Sequence, residues 1–320
     1  MIEAPFRADE TVARRMAELS TRVGSAVEAE VHALVEAPGA NPLDGSTVNA
    51  TAVADLVERH GLASERELAL LALPVARAMA RPPISGYRVG AVGIERESGA
   101  LVLGANLEVP GADLGSTVHA EGFVAVRARR RSATLETLAV YEAHPCAHCR
   151  QTLAESAASD DLGIIDPLGH ELGLAELYPW PFRPDALGVE GDRAGAAAWP
   201  DLALLADDVP ADVADLLREV GSRAHAPYSG APSAVALQLR DGRLLAAAAF
   251  ESVAFNPSIT ALQAALVELV AARAVPDDIA RAWLARTAAG SIDPAPGFRA
   301  LLAAVAPSAE ARVADWRSGA

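Results

Sequence analysis

Residues 118–151 read VHAEGFVAVRARRRSATLETLAVYEAHPCAHCRQ, and the two ends of this stretch decide the fold. One end is His119-Ala120-Glu121; the other is Pro145-Cys146-Ala147-His148-Cys149. Together they offer one imidazole, two thiols and one carboxylate. Cysteines three apart at a helix start turn both sulfurs to one side, because positions i and i+3 are neighbours on a helix. A histidine from elsewhere supplies a third donor and leaves a fourth position open, the arrangement of a catalytic zinc and not of a structural one. Glu121, two residues beyond His119, is free to face water in that open position. Taken alone, Cys146 and Cys149 also fit a redox C-x-x-C; the His-x-Glu partner argues for metal.

Composition narrows the field. At 320 residues the chain exceeds one typical compact core and points to two domains or more. Hydrophobic residues make up 51%, enough for a sizeable core and against disorder. The net charge of −15 repels phosphate backbones, so no nucleic-acid partner is expected. The one basic run, Arg127-Ala128-Arg129-Arg130-Arg131, reads as the solvated end of a helix, where cations suit the dipole. All 27 basic residues are arginine, which excludes Schiff-base chemistry and a P-loop lysine. The two cysteines share one motif, so disulfide scaffolding is excluded, and thiolate donors suit a reducing, cytoplasmic setting. Residues 1–10 carry charge without an apolar run, and no long uncharged apolar stretch occurs, so neither a secretory signal nor a membrane span is expected.

In chain order, apolar residues recur at three and four over 9–36, predicting an amphipathic helix that ends at Pro38-Gly39. Further helices are expected over 51–60 and 64–80, the latter bent at Pro74. The periodicity then switches. Residues 87–95 and 101–107 read as strands, 118–131 as a helix capped by Thr117, 134–141 as a strand, then the Cys146 helix and a short strand at 162–165. This β-β-α-β-α-β order predicts a mixed sheet with the two motif helices side by side, their positive N-termini aimed at the metal.

The pattern then repeats. Ala226-Pro227-Tyr228-Ser229-Gly230 echoes Pro83-Ile84-Ser85-Gly86, with Ser229 lying 144 residues after Ser85 and Glu251 lying 143 after Glu108. A helix over 211–225, strands over 235–239 and 243–250 and a helix over 259–270 complete the second copy. A constant offset places Gln263 at the position of His119 and Ala265 at that of Glu121. With no cysteine, this copy holds no zinc of the same kind. The expected division is an N-terminal helical segment over 1–65, a catalytic domain over 66–190, a linker over 191–207 and a degenerate domain over 208–320.

These ordered motifs, Pro83-Ile84-Ser85-Gly86-Tyr87-Arg88-Val89-Gly90-Ala91, Gly104-Ala105-Asn106-Leu107-Glu108, Val118-His119-Ala120-Glu121 and Pro145 to Gln151, resemble cytidine deaminases, in particular the long, two-domain form. The resemblance covers roughly residues 50 to 320. It implies a three-layer α/β/α fold with a mixed sheet, duplicated as a catalytic copy and a degenerate copy. It implies Zn2+ on His119, Cys146 and Cys149, with Glu121 as the group that takes a proton from water and delivers protons to ring N3 and the leaving amine. Asn106 and Glu108, carried over from the family's N-x-E, are expected on the sugar hydroxyls, and Tyr87 is expected beside the base. The implied reaction is hydrolytic deamination of free cytidine and deoxycytidine in pyrimidine salvage. The alternatives are deamination of another amino-pyrimidine, amino-purine or nucleoside antibiotic, and a non-catalytic zinc protein of the same fold. The implied assembly is a homodimer in which residues 251–257 approach the partner chain's site. His148 is expected beside the metal or at the surface, and Arg150 near the thiolates or at the surface. His32, His60, His144, His170 and His225 are read as structural or exposed.

Overall fold

The structure is a computed structural model that describes residues 8–36, 41–205, 208–288 and 290–317. The Pro38-Gly39 stop and the end of the expected linker lie outside the described residues. Helix α1 (Glu10–Leu19) runs through one π turn (Ser20–Gly24) into α2 (Ser25–Glu36), so the first amphipathic pattern forms one rod with a bulge. Short strand β1 (Thr47–Val48) precedes α3 (Ala50–His60), which Asn49 caps and which Gly61 ends in the left-handed conformation. The third expected helix is two pieces, α4 (Glu65–Leu71) and α5 (Leu73–Ala78), because Pro74 occupies the first turn of a new helix.

The first sheet contains β1, β2 (Gly90–Glu95), β3 (Leu101–Ala105), β4 (Leu135–Val140), β5 (Gly163–Ile165) and β6 (Glu171–Gly173), in the order β1-β3-β2-β4-β5-β6. It is mixed, as expected: β2 is antiparallel to β3 and β4, whereas β4 and β5 are parallel. Helix α6 (Ala120–Arg130) lies between β3 and β4, and α7 (Ala147–Leu153) between β4 and β5. Two glycines let helices seat closely on opposite faces. A Cβ on Gly90 would meet the backbone N of Arg77 in α5 at 2.4 Å; one on Gly104 would meet the carbonyl oxygen of Ala120 in α6 at 2.6 Å. This gives the three-layer arrangement and fixes the start of α6 against the sheet.

After α8 (Leu174–Leu177) and β7 (Ala203–Leu204), the second copy repeats the plan with α9 (Ala211–Gly221), β8 (Ala234–Leu239), β9 (Leu244–Ala248), α10 (Ala261–Ala271), β10 (Ile279–Thr287), α11 (Ala295–Val305) and β11 (Glu310–Arg317). Its order β7-β11-β10-β8-β9 reproduces β3-β2-β4-β5 as β9-β8-β10-β11, again with the last pair parallel. The last three elements have no counterpart in the sequence-based expectation. Alanine fills β10 and α11 and blurs the contrast on which periodicity depends.

The structure corrects the register of the repeat. Leu107 bridges Val118, and Phe250 bridges Ile259 in the same antiparallel way. His119 is the N-cap of α6; Thr260 is the N-cap of α10. Thr260 therefore stands where His119 stands, and Leu262 where Glu121 stands. The expected pairing with Gln263 and Ala265 slips by three residues, because the loop before the helix is shorter in the second copy and a constant offset cannot carry across it.

The basic run is also corrected. Arg127 is fully buried, ion-paired to Glu268 of α10, and it donates to the carbonyls of Leu43 (3.0 Å) and Gly45 (2.6 Å). Arg129 pairs with Asp192, Arg130 with Glu219 and Arg131 with Glu95. These arginines fasten α6 to the second copy and to the loop before β1 instead of facing solvent. One continuous apolar core joins the N-terminal helices, the first sheet and α10; Val31, Leu103, Phe123 and Val267 all belong to it.

Candidate active site

His119 and Cys146 occupy the N-cap positions of α6 and α7, both in extended conformation, and neither side chain caps its own helix. Thr117, the expected cap, ends a preceding 3-10 turn instead. Both helices start at this cluster, and the positive end of a helix favours negative charge. His119 Nδ1 lies 3.5 Å from Cys146 Sγ and 3.4 Å from Cys149 Sγ; the sulfurs are 3.6 Å apart. A tetrahedral zinc with sulfur at ~2.3 Å and nitrogen at ~2.0 Å needs S···S of about 3.8 Å and S···N of about 3.5 Å. The three donors thus already stand at the edges of such a tetrahedron.

The electrostatics fit the same ion. The Cys146 thiol is lowered to about 3, because Cys149 and His119 both hydrogen-bond to its thiolate. Cys149 is pushed upward by the same Cys146 contact and by burial. His119 is raised, chiefly by its hydrogen bond to Cys146. Glu121, 3% exposed in the first turn of α6, is raised by burial. A buried carboxylate with an elevated pKa beside a metal position is suited to taking and returning protons.

The residues expected at the sugar, Asn106 and Glu108, follow β3 at the same end of the sheet. Glu108 Oε2 accepts from the backbone N–H groups of Ile84 and Ser85, both at 2.9 Å, while its Oε1 accepts from the Ser85 hydroxyl at 2.6 Å. Asn106 is 6% exposed; its Oδ1 accepts from Val89 N (2.9 Å) and its Nδ2 donates to the Tyr87 carbonyl (2.9 Å). Asn106 therefore shapes the 87–89 segment directly and retains one N–H and one lone pair. Tyr87 is 55% exposed, and its hydroxyl donates to the Glu142 carbonyl (2.8 Å) in the loop before Cys146.

The histidines left without partners by sequence reasoning have them. His144 Nε2 and His170 Nδ1 both reach Asp166 Oδ2, at 3.1 and 2.8 Å, so a buried carboxylate braces the loop two residues before Cys146. Arg150 donates to the carbonyls of Pro145 (2.7 Å) and Leu177 (2.6 Å), bracing the same loop. His148 is exposed.

Sequence reasoning missed Glu155 altogether. It is fully buried just after α7, takes the hydroxyl of Tyr228 (2.7 Å) and the N–H of Val253 (2.5 Å), and lies 3.3 Å from His225 Nε2. Thr152 Oγ1 adds a bond to the Pro257 carbonyl (3.1 Å). The helix carrying both cysteines is thus clamped to the second copy. The partners are 70 or more residues away, and a single glutamate in an Ala-rich stretch carries no local signal of them.

The fold and donor set define a zinc-binding α/β class with a duplicated domain. Residues 63–161 and 206–295 each match the zinc-binding region of cytidine and deoxycytidylate deaminases. A cytidine deaminase of Vibrio atlanticus is 35% identical over 262 residues, 82% of this chain and 87% of that protein. One of Sodalis glossinidius is 38% identical over 270 residues, with shares of 81% and 86%. A crystal structure of cytidine deaminase from Mycobacterium leprae, 29% identical, covers 34% of this chain and 92% of its own, with a TM-score of 0.31. The chain belongs to the cytidine deaminase family, and zinc is its cofactor.

Proposed function

We propose that this protein hydrolytically deaminates free cytidine and deoxycytidine to uridine and deoxyuridine with release of ammonia, serving pyrimidine salvage in the cytoplasm. The observation that carries the reading is the His119, Cys146 and Cys149 donor set at 3.4–3.6 Å with buried Glu121 in the same helical turn. His119, Cys146 and Cys149 hold the ion. When bound, zinc supplies Lewis acidity that makes water nucleophilic near neutral pH. Glu121 takes the water proton and passes it to N3, so that oxygen can add at C4. The same carboxylate then takes the second proton, from the hydroxyl now on C4, and gives it to the amine; the C4–N bond breaks as the C4 carbonyl forms, and ammonia leaves. Glu108 and Asn106 hold the sugar hydroxyls, and Tyr87 flanks the base.

Glu108 also sets selectivity. Its carboxylate is held ionised: burial opposes this, but the hydrogen bonds from Ser85 and Ile84 outweigh it. A phosphate on the sugar would meet that charge, so CMP and polynucleotides are excluded. We further propose the division 1–65, 66–190, 191–207 and 208–320, and a two-fold homodimer. In one chain His119 and Cys146 are exposed, and Ile84, Tyr87, Leu114 and Tyr141 also stand in solvent, as a site awaiting a cover would. Phe255, 65% exposed and held at φ 63, is the group of 251–257 that reaches the partner. A bulky side chain at positive φ costs about 1–3 kcal/mol and needs a reason.

The test is direct. Purified zinc-loaded protein mixed with cytidine should lower the ultraviolet absorbance of the base and release ammonia, while CMP and a cytosine-containing oligonucleotide should not react. Comparable turnover of CMP refutes the selectivity, and no turnover of cytidine refutes the reaction. Light scattering should give a dimer; a fully active monomer at nanomolar concentration refutes the assembly.

A further inference from the structure

The second copy keeps part of the first copy's site to the level of individual hydrogen bonds. Glu251 Oε2 accepts from the N–H groups of Tyr228 (3.0 Å) and Ser229 (3.1 Å), its Oε1 accepts from the Ser229 hydroxyl, and Ser229 Oγ accepts from Ala231 N (3.0 Å). Each bond has its counterpart around Glu108, including Tyr87 N to Ser85 Oγ at 3.0 Å. What the copy lacks is the reactive machinery. Thr260 replaces His119, Leu262 replaces Glu121, and Pro294, the N-cap of α11, stands where Cys146 caps α7.

These residues nevertheless enclose space. A cavity of about 450 Å3 is lined by Ser229, Glu251, Thr260 and Pro294, with Ala231 and Ala249 where the first copy has Tyr87 and Asn106. Its walls are mainly apolar, and among the described residues no basic side chain lines it. A carboxylate has about four acceptor sites; three are used on Glu251, and the residue lines the chamber. Such a site accepts a hydroxyl donor, rejects an anion, and gives a flat neutral ring an apolar bed.

We infer that the degenerate copy is a second binding site for a neutral nucleoside, held by its sugar hydroxyls at Glu251 and Ser229 and bound without turnover. This rests on the reading above that the Glu108–Ser85 clasp engages the sugar. With no metal donors and no carboxylate at the Leu262 position, the ligand leaves unchanged. The chamber is joined to the catalytic copy, since Tyr228, which lines it, donates to Glu155 behind the cysteine helix.

Equilibrium dialysis of labelled uridine, the unreactive product, against the zinc-loaded full chain tests this, with 5-fluorouridine as a fluorine-NMR probe. Two molecules per chain and two bound fluorine signals are expected. Glu251→Gln should weaken one site at least tenfold and remove one signal; Glu108→Gln should do so to the other. Ala249→Leu fills the chamber and Ser229→Ala is the milder second variant; both should act on the Glu251 site. One molecule per chain, lost in Glu108→Gln and unaffected by Glu251→Gln, overturns the second site while sustaining the proposed catalytic one. Two molecules per chain, both indifferent to Glu108→Gln and Glu251→Gln, overturn the clasp reading itself.

Discussion

Replacing Arg127 with methionine tests whether the two copies are one cooperative structure. Arg127 is fully buried and Glu268 is 3% exposed, so the substitution leaves a carboxylate stranded between α6 and α10. Breaking a buried pair from one side costs about 3–5 kcal/mol. The two carbonyls that Arg127 serves are not stranded with it: Leu43 O keeps the Arg131 guanidinium at 2.7 Å, and Gly45 O keeps the Thr47 hydroxyl at 3.2 Å. The loss is therefore mainly that of the unpaired Glu268. It follows that Arg127→Met with Glu268→Met should recover most of the stability, ending within about 1–2 kcal/mol of the parent, because apolar replacement of a whole buried pair is often near neutral. The assay is urea unfolding at fixed protomer concentration and saturating zinc, since assembly and metal both shift apparent stability. Tryptophan fluorescence reports it well: Trp283 and Trp316 are 3% exposed in the second copy, whereas Trp180 is already in solvent. A cost below about 1 kcal/mol for Arg127→Met, or a double variant no better than the single one, would refute the reasoning.

Glu121→Gln should retain zinc and lose kcat by ~100-fold or more, as expected for removal of the proton-transfer group; near-parental turnover removes Glu121 from the mechanism. Elemental analysis should find one zinc per chain, absent from a Cys146→Ala, Cys149→Ala variant, and full metal retention in that variant would contradict the donor assignment. His225 gives the pH dependence. Burial opposes its charge, but the hydrogen bonds to Asp192 and Glu155 outweigh it and raise its pKa. Its stabilisation is thus complete below the ordinary imidazole value and is lost as pH rises through the raised one. Urea midpoints measured from about pH 6 to 9 should fall for the parent and lose that slope in His225→Gln; an unchanged slope assigns it elsewhere.

The chemistry was legible in the sequence because it is local. His119 and Glu121 share one helical turn, Cys146 and Cys149 another, and the mixed sheet follows from the order of short periodic segments between them. The duplication was legible too, since Ser229 and Glu251 repeat Ser85 and Glu108 at nearly constant spacing. Tertiary structure decided what spacing could not. It shifted the degenerate helix so that Thr260, not Gln263, faces the position of His119, because bridge partners and not residue counts fix register across loops of unequal length. It turned the arginine run inward, because Glu268, Asp192 and Glu95 lie far along the chain and only folding sets them beside α6. It gave Glu155, His225 and Tyr228 a common purpose for the same reason. Residue type and short-range period determine which groups can react; the pairing of distant charges depends on the whole packed chain, and no local pattern records it.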